Sequence, residues 1–255
     1  MLKHAAAYVS ARALFCAIAR PGSKLTLANP RRSCRRTVTV YVPWVDVSFV
    51  FNDRFIPLFF GCLRVEQLRE ASAKCLLQLV TKGMEVGKKV QMLNQLRVLD
   101  VLHDLDLESE DDDEFEFVLQ VAELANATWQ ELLESLMELE SAQREAECQM
   151  CAALLNGSLP LVWRLLQHED VDVSGAVLPV ASAMLEALKQ PGLEAHGFNV
   201  REHIPQLLPV LLKRMRFPED LKLDGSDDQE EFAEADNYRK VRQHRAAAAR
   251  ALSSR

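Results

Sequence analysis

Between Asn52 and Gly83 apolar side chains recur at intervals of three and four. They fall first at Phe55, Ile56, Phe59, Phe60 and Leu63, then at Leu68, Ala71, Cys75, Leu76, Leu79 and Val80. That spacing gathers each set on one face of a helix, while Glu66, Arg69, Glu70, Lys74 and Gln78 take the other face of the second helix. The pattern predicts two antiparallel helices joined by a short turn near Arg64. Asn52 suits the start of the first as an acceptor for its free N–H groups, and Asp53 as an anion at its positive end. Gly83 is the residue expected to end the second helix in a left-handed conformation. Together the two helices still leave apolar surface uncovered, the character of a unit that stacks on similar neighbours.

A second copy of this pattern lies 103 residues on, from Pro57 to Pro160, with the acidic turn Glu169-Asp170 and Val173 entering its second helix. A proline inside the first helix and Leu68-Arg69-Glu70-Ala71 opening the second fit the HEAT repeat. The rest of the chain reads as helix with few exceptions. Residues 41–51 form the last helix of an incomplete repeat. Residues 85–103 form one helix, with Val90, Leu93, Leu96, Val98, Leu99 and Leu102 as its apolar positions. An acidic link over 104–114 leads into a long helix through Phe117, Val121, Leu124, Ala125 and Leu132 to about Leu139. Helices over 142–167 and 174–189 make the next pair, with Gly157 and Pro160 expected to break or bend the first and Pro179 to strain the second. A loop over 190–197, a helix over 200–216, an acidic link over 218–231 and a final helix through Tyr238 complete the body. The fold expected is all-α, an α-solenoid of HEAT-like repeats over 41–250 with a short tail over 251–255. At about 40–47 residues per repeat that span holds roughly five units.

Charge sets one segment apart. The net charge of −7 conceals residues 1–40, which hold eight Lys or Arg and no acid; the remainder carries 37 acidic against 22 basic residues, a net of −15. Residues 1–40 also lie outside the repeat pattern. They read as a non-repeat start, disordered or wrongly joined upstream of the repeats in the gene model. An organelle presequence, or a basic localisation or RNA-binding tract at Arg31-Arg32-Ser33-Cys34-Arg35-Arg36, are the other readings. The acidic body argues against broad nucleic-acid binding and leaves room for a local basic stripe. Cysteines at 16, 34, 62, 75, 148 and 151 are scattered, as reduced thiols are in a cytosolic or nuclear protein. No apolar run approaches the ~20 residues that span a bilayer, so no membrane partner is expected.

Candidate chemistry is sparse. Cys148 and Cys151 have redox spacing but fall inside a helix, without a preceding strand or a second pair, so a core role is preferred. Asp220, Asp224, Gly225, Asp228 and Glu231 partly mimic a calcium loop, yet Lys222 stands at a ligand position and Asp227 replaces an apolar one. His168-Glu169-Asp170 occupies a tight turn, where a capping role outweighs acid–base chemistry. The acidic run over 108–117 reads as a solvated link. No phosphate loop, dinucleotide fingerprint or nucleophile motif is present, so neither an enzyme nor a cofactor is expected.

Four ordered stretches carry a closer likeness: Tyr-Val-Pro-Trp-Val-Asp-Val-Ser-Phe-Val-Phe-Asn-Asp-Arg-Phe over 41–55, the LREA and Cys-Leu-Leu helix running into Val-Thr-Lys-Gly-Met over 80–84, His-Glu-Asp-Val-Asp-Val-Ser over 168–174, and Asn-Tyr-Arg-Lys-Val over 237–241. In this order they resemble the exportin-T family, the tRNA exportins of the importin-β superfamily. The resemblance implies nuclear export of tRNA bound cooperatively with RanGTP, shuttling between nucleus and cytoplasm, and nuclear pore proteins as further partners. It also implies a partial chain, because the family's N-terminal repeats, which carry most Ran contacts, and its C-terminal arch have no counterpart here. Second helices of HEAT pairs line the inner surface in this family. Such a surface would read tRNA by shape, through cations meeting phosphates. The candidate contacts are Arg69, Lys74, Lys213, Arg214, Arg239, Lys240 and Arg242. A generic HEAT scaffold that holds proteins together, without RNA cargo, is the alternative.

Overall fold

The computed structural model describes residue 47 and residues 51–53, 55–107 and 112–214, and among these it contains helices and no strands. Eight α-helices follow in order: α1 (Phe55–Leu63), α2 (Glu66–Val80), α3 (Val86–Leu96), α4 (Val98–His103), α5 (Asp112–Ser141), α6 (Glu145–Leu166), α7 (Val171–Ala187) and α8 (Val200–Arg214). A 3-10 turn, Pro191–His196, stands between α7 and α8. The chain divides into two compact units, Met1–Ser135 and Leu136–Arg255, with the boundary inside α5. Residues 1–40, the acidic link over 218–231 and the final helix through Tyr238 lie outside the described residues.

In the first unit α1 and α2 form the predicted antiparallel pair, and Arg64 takes the turn. Phe59 and Leu63 meet Ala73, Cys75, Leu76, Leu79 and Val80 in a shared core. Each fully buried side chain of this size contributes about 1.5–3 kcal/mol, so the seam outweighs any single capping contact. Ser72 joins the helices directly, its buried hydroxyl donating to the Phe59 carbonyl at 2.7 Å. Pro57 is the third residue of α1, where its fixed φ suits the first turn, so it costs the helix little.

Gly83 does not end α2. The helix closes at Thr81, whose backbone N–H and hydroxyl both donate to the Leu77 carbonyl, at 3.0 and 2.8 Å. With that carbonyl satisfied no left-handed residue is needed, and Gly83 is not in the left-handed region. The helix expected over 85–103 is two. Arg97 adopts φ 48° and ψ 40°, ending α3 and starting α4. Helical geometry explains the break. At 100° per residue, the buried positions of α3 and those of α4 would point roughly 145° apart on one straight helix. The left-handed residue turns both sets, Val90, Met92, Leu93 and Leu96 with Val98, Leu99 and Leu102, into the core. The acidic link is also shorter than expected, because Asp112 already belongs to α5.

In the second unit α6 pairs with α7, and α7 with α8. Neither Gly157 and Pro160 nor Pro179 breaks a helix. An interior proline costs about 3 kcal/mol. Leu155, Leu159, Leu161, Val162 and Leu165 are buried on both sides of Pro160, and Val177, Leu178, Val180 and Ala181 around Pro179. Burial of several such side chains exceeds the loss of one backbone hydrogen bond. Asp170 caps α7, accepting from the N–H groups of Asp172 and Val173 at 2.7 and 3.1 Å. The turn at His168-Glu169-Asp170 is therefore a cap, as its composition suggests, although α7 starts at Val171 rather than Ser174.

Candidate nucleic-acid interface

The seven candidate cations fall on three parts of the chain. Arg69 and Lys74 stand one and a half turns apart on α2, the second helix of the first pair. The Arg69 guanidinium lies over the Phe117 ring of α5, 4.7 Å from its centroid. Cation–π contact of this kind is worth about 0.5–2 kcal/mol and fixes the fork against an aromatic face. Lys74 binds Glu70 at 2.6 Å and reaches Glu116 of α5 at 3.8 Å. Both α2 cations thus serve the α2–α5 contact. They differ in how firmly they are held. Lys74 and Glu116 keep about a third and a half of their side chains in water, and exposed pairs contribute about 0–1 kcal/mol, so Lys74 can exchange partners at small cost.

Lys213 and Arg214 close α8 in the second unit. Lys213 is exposed and has no ion-pair partner among the described residues. The Lys213 cation, near the end of α8, also faces the negative end of the helix dipole, which tempers its field. Arg239, Lys240 and Arg242 lie outside the described residues, as does the calcium-like loop over 220–231.

The cation that the sequence does not single out is Lys89 of α3. It is buried; its Nζ donates to the Val80 carbonyl at 2.6 Å and to Glu131 Oε2 of α5 at 2.8 Å. A signal for it exists: Lys89 shares the i, i+3, i+4, i+7 face of Met92, Leu93 and Leu96. Its charge is consumed by structure, not offered to solvent.

The cysteine pair is equally occupied by structure. Cys148 and Cys151 are buried in α6. Burial first, then the Cys148 and Glu147 charges, push the Cys151 thiol up to about 12. Burial and the nearby Glu145, Glu140 and Glu147 carboxylates raise that of Cys148 as well. A thiol held protonated is a poor nucleophile. No group of three or more His, Cys, Asp or Glu among the described residues is arranged to hold a metal, and no described helix is long and apolar enough to cross a membrane.

Comparison with known proteins places these helices in a wider context. The family model for Exportin 1-like protein matches residues 26–76, from inside the basic segment to the middle of α2. Exportin-T of Dictyostelium discoideum is 30% identical over 204 residues, covering 79% of this chain and 18% of that protein. Exportin-T of Mus musculus is 29% identical over 209 residues, 81% of this chain and 21% of its own length, and exportin-T of Arabidopsis thaliana is 32% identical over 175 residues, 67% and 17%. This chain is exportin-T-like. It spans about a fifth of the length of the curated relatives it matches. The paired helices are accordingly those of an exportin-like solenoid of HEAT-like repeats, and the ordered motifs that suggested the family belong to a match extending over most of the chain.

Proposed function

We propose that this exportin-T-like chain contributes to a nuclear export receptor for tRNA, binding its cargo together with RanGTP and shuttling between nucleus and cytoplasm. The observation that carries the reading is the likeness to exportin-T over about two thirds to four-fifths of the chain, in relatives from amoeba, mouse and plant. Its role is recognition, not catalysis. The cations Arg69, Lys74, Lys213, Arg214, Arg239, Lys240 and Arg242 are the proposed phosphate contacts, with nuclear pore proteins as further partners. Within this set the contacts made by Arg69 rank it below Lys74, whose pairs are exposed, and Lys213, which faces solvent. A protein scaffold with the same helices would carry no such cargo.

The test is tRNA binding across a salt series. Arg31, Arg32, Arg35 and Arg36 are first replaced by Gln, because that run would attract any polyanion. Each true phosphate contact then contributes about 0.7–0.9 to the slope of log affinity against log salt. Replacing Lys74 and Lys213 by Gln should flatten the slope by roughly 1.5 if both touch phosphate. Equal affinity for folded tRNA and an unstructured RNA of the same length would overturn the cargo assignment and leave the scaffold reading. RanGTP should tighten tRNA binding, and an indifferent response would remove Ran from the partners of this span.

A further inference from the structure

Helix α6 has a locally weakened turn on its solvent face, and that turn holds an Asn-Gly pair. Ala153, Gly157 and Pro160 are exposed at i, i+4 and i+7, with Asn156 half-buried beside them. Pro160 has no N–H, so the Asn156 carbonyl lacks the donor that a regular helix places four residues on. Gly157 is the poorest helix former after proline. Packing does not require it, since a Cβ at 157 would meet nothing within 4 Å. Asn156 also acts outside its own helix. Its Nδ2 donates to the Gly197 carbonyl at 2.8 Å. Gly197, left-handed at φ 89°, closes the Pro191–His196 turn, so this bond tethers the turn to α6.

We propose that Asn156-Gly157 is a site of spontaneous deamidation, and that its conversion releases the Pro191–His196 turn from α6. With no side chain at 157, the backbone nitrogen there is unshielded and can attack the preceding side-chain amide. In the closed helix the Gly157 N–H is held in the backbone ladder, and helical dihedrals keep its nitrogen away from Asn156 Cγ. The reaction therefore proceeds from an opening of this one turn, which Gly157 and Pro160 both favour. On opening, the Gly157 nitrogen bonds to Asn156 Cγ, the Cγ–Nδ2 bond breaks, and Nδ2 leaves as ammonia with the Gly157 proton. Water then opens the cyclic imide. Cleavage between nitrogen and Cγ leaves an aspartate at position 156; cleavage at the other carbonyl leaves an isoaspartate, with the main chain routed through the side-chain carbon. In both products a carboxylate replaces the amide. The donor to Gly197 is gone, and two acceptors face each other. The turn keeps its packing through Leu193 and Phe198, both buried, but loses this hydrogen bond to α6. Because the turn leads directly into α8, the conversion loosens the entry to that helix for the rest of the life of the molecule.

Peptide mapping of the whole chain, incubated at neutral pH and sampled over weeks, measures conversion at Asn156 against the same chain unfolded in urea. The folded chain should convert more slowly by about ten- to a thousandfold, the factor set by a local opening. Amide exchange supplies the comparison. The slowing should be smaller, by about tenfold or more, than the protection of the Leu165 and Val177 amides in the core. Pro160→Ala, at an exposed site, returns an N–H to the Asn156 carbonyl. It should slow conversion in the folded chain by about tenfold or more and leave the rate in urea unchanged. In N156D, exchange of the Gly197 and Phe198 amides, which bond the Glu194 and Leu193 carbonyls, should quicken about three- to tenfold. A slowing as large as the protection of the core amides, an equal folded-state rate in P160A, or unchanged exchange of both amides in N156D would each overturn the proposal.

Discussion

The two helix pairs, α1–α2 and α6–α7, share a sequence pattern yet are fastened at opposite ends. In both, a proline sits in the first helix and the facing apolar stripes close the seam. The second helix of the later pair is secured at its start, where Asp170 accepts from two backbone N–H groups. The second helix of the earlier pair begins at an uncapped Val65, 41% exposed, and is secured at its end, where the Lys89 ammonium covers the Val80 carbonyl. The repeat thus dictates the burial that makes a pair. How the orphan groups at each helix end are satisfied is a local choice, made by whichever side chain reaches them.

The widest separation between the pairs should appear in thiol chemistry. Cys62 at the end of α1 is half-buried, whereas Cys148 and Cys151 are fully buried in α6, with the Cys151 thiol pushed up to about 12. At pH 8 the thiolate fraction of Cys151 is therefore very small. Alkylation followed by peptide mapping should find Cys151 reacting at least a hundredfold more slowly than Cys62. Comparable rates would mean that α6 opens in the native state.

Next in size is the buried ion pair. Truncating Lys89 to Ala removes a charge that two acceptors share, leaving Val80 and Glu131 without it. The loss should be about 3 kcal/mol, the lower end for a broken buried pair because Glu131 retains some water. K89M should lose less, since its stem still fills the site. The double variant K89M/E131L should return to within about 1 kcal/mol of the parent, because an apolar pair of similar volume has no desolvation to offset. Urea midpoints at unchanged slope give these differences. A loss under 1 kcal/mol for K89A would show that the first pair is not anchored at this end.

Removing the cap of the later pair should cost less. Asp170→Ala leaves two first-turn N–H groups of α7 without their acceptor, for a loss of about 1 kcal/mol. Exchange of the Asp172 and Val173 amides should quicken, while that of Leu178 and later residues stays as it was. A loss spread evenly along α7 would mean that Asp170 stabilises the pair through more than its cap.

These ends also mark the limit of what could be read from residue order. The helices were legible because their apolar spacing repeats, and the Asp170 cap because Asp at a turn before an apolar stripe has one dominant use. The break at Arg97 was hidden. It depends on the angle between two buried faces, and Arg has no preference for φ 48°. The prolines show the complementary limit: their local cost is visible in sequence, whereas the burial that keeps both helices continuous through them is tertiary. Lys89 was missed because residue type spoke for solvent and only its register spoke for the core. At the candidate interface the identity of Arg69 and Lys74 was legible. Their engagement with Phe117 and Glu116 was not, since those partners come from a helix more than forty residues away. The family likeness escaped these limits, as it rests on ordered motifs instead of on contacts.

The smallest effect expected is a gain, and it bears most directly on why the two pairs differ. Val65 has φ −107° and ψ 109°, close to the extended backbone of Asp170 at φ −67° and ψ 134°. An Asp at 65 could therefore accept from the first turn of α2 as Asp170 does from α7. Two features reduce the benefit. The Leu68 N–H already donates to the Val65 carbonyl at 2.8 Å, so one of the two donors that a cap would serve is engaged. Glu66 lies next to the new carboxylate and repels it. Against these stands the favourable placement of an anion at a helix start. Val65→Asp should consequently stabilise by about 0.5 kcal/mol, below the usual worth of a new cap, seen as a higher urea midpoint at constant slope. A gain near that of the Asp170 cap would show that the existing Leu68 bond is worth little. A loss would show instead that the exposed Val65 side chain is covered in solution, and that the apolar residue at this turn is kept for contact and not for want of a cap.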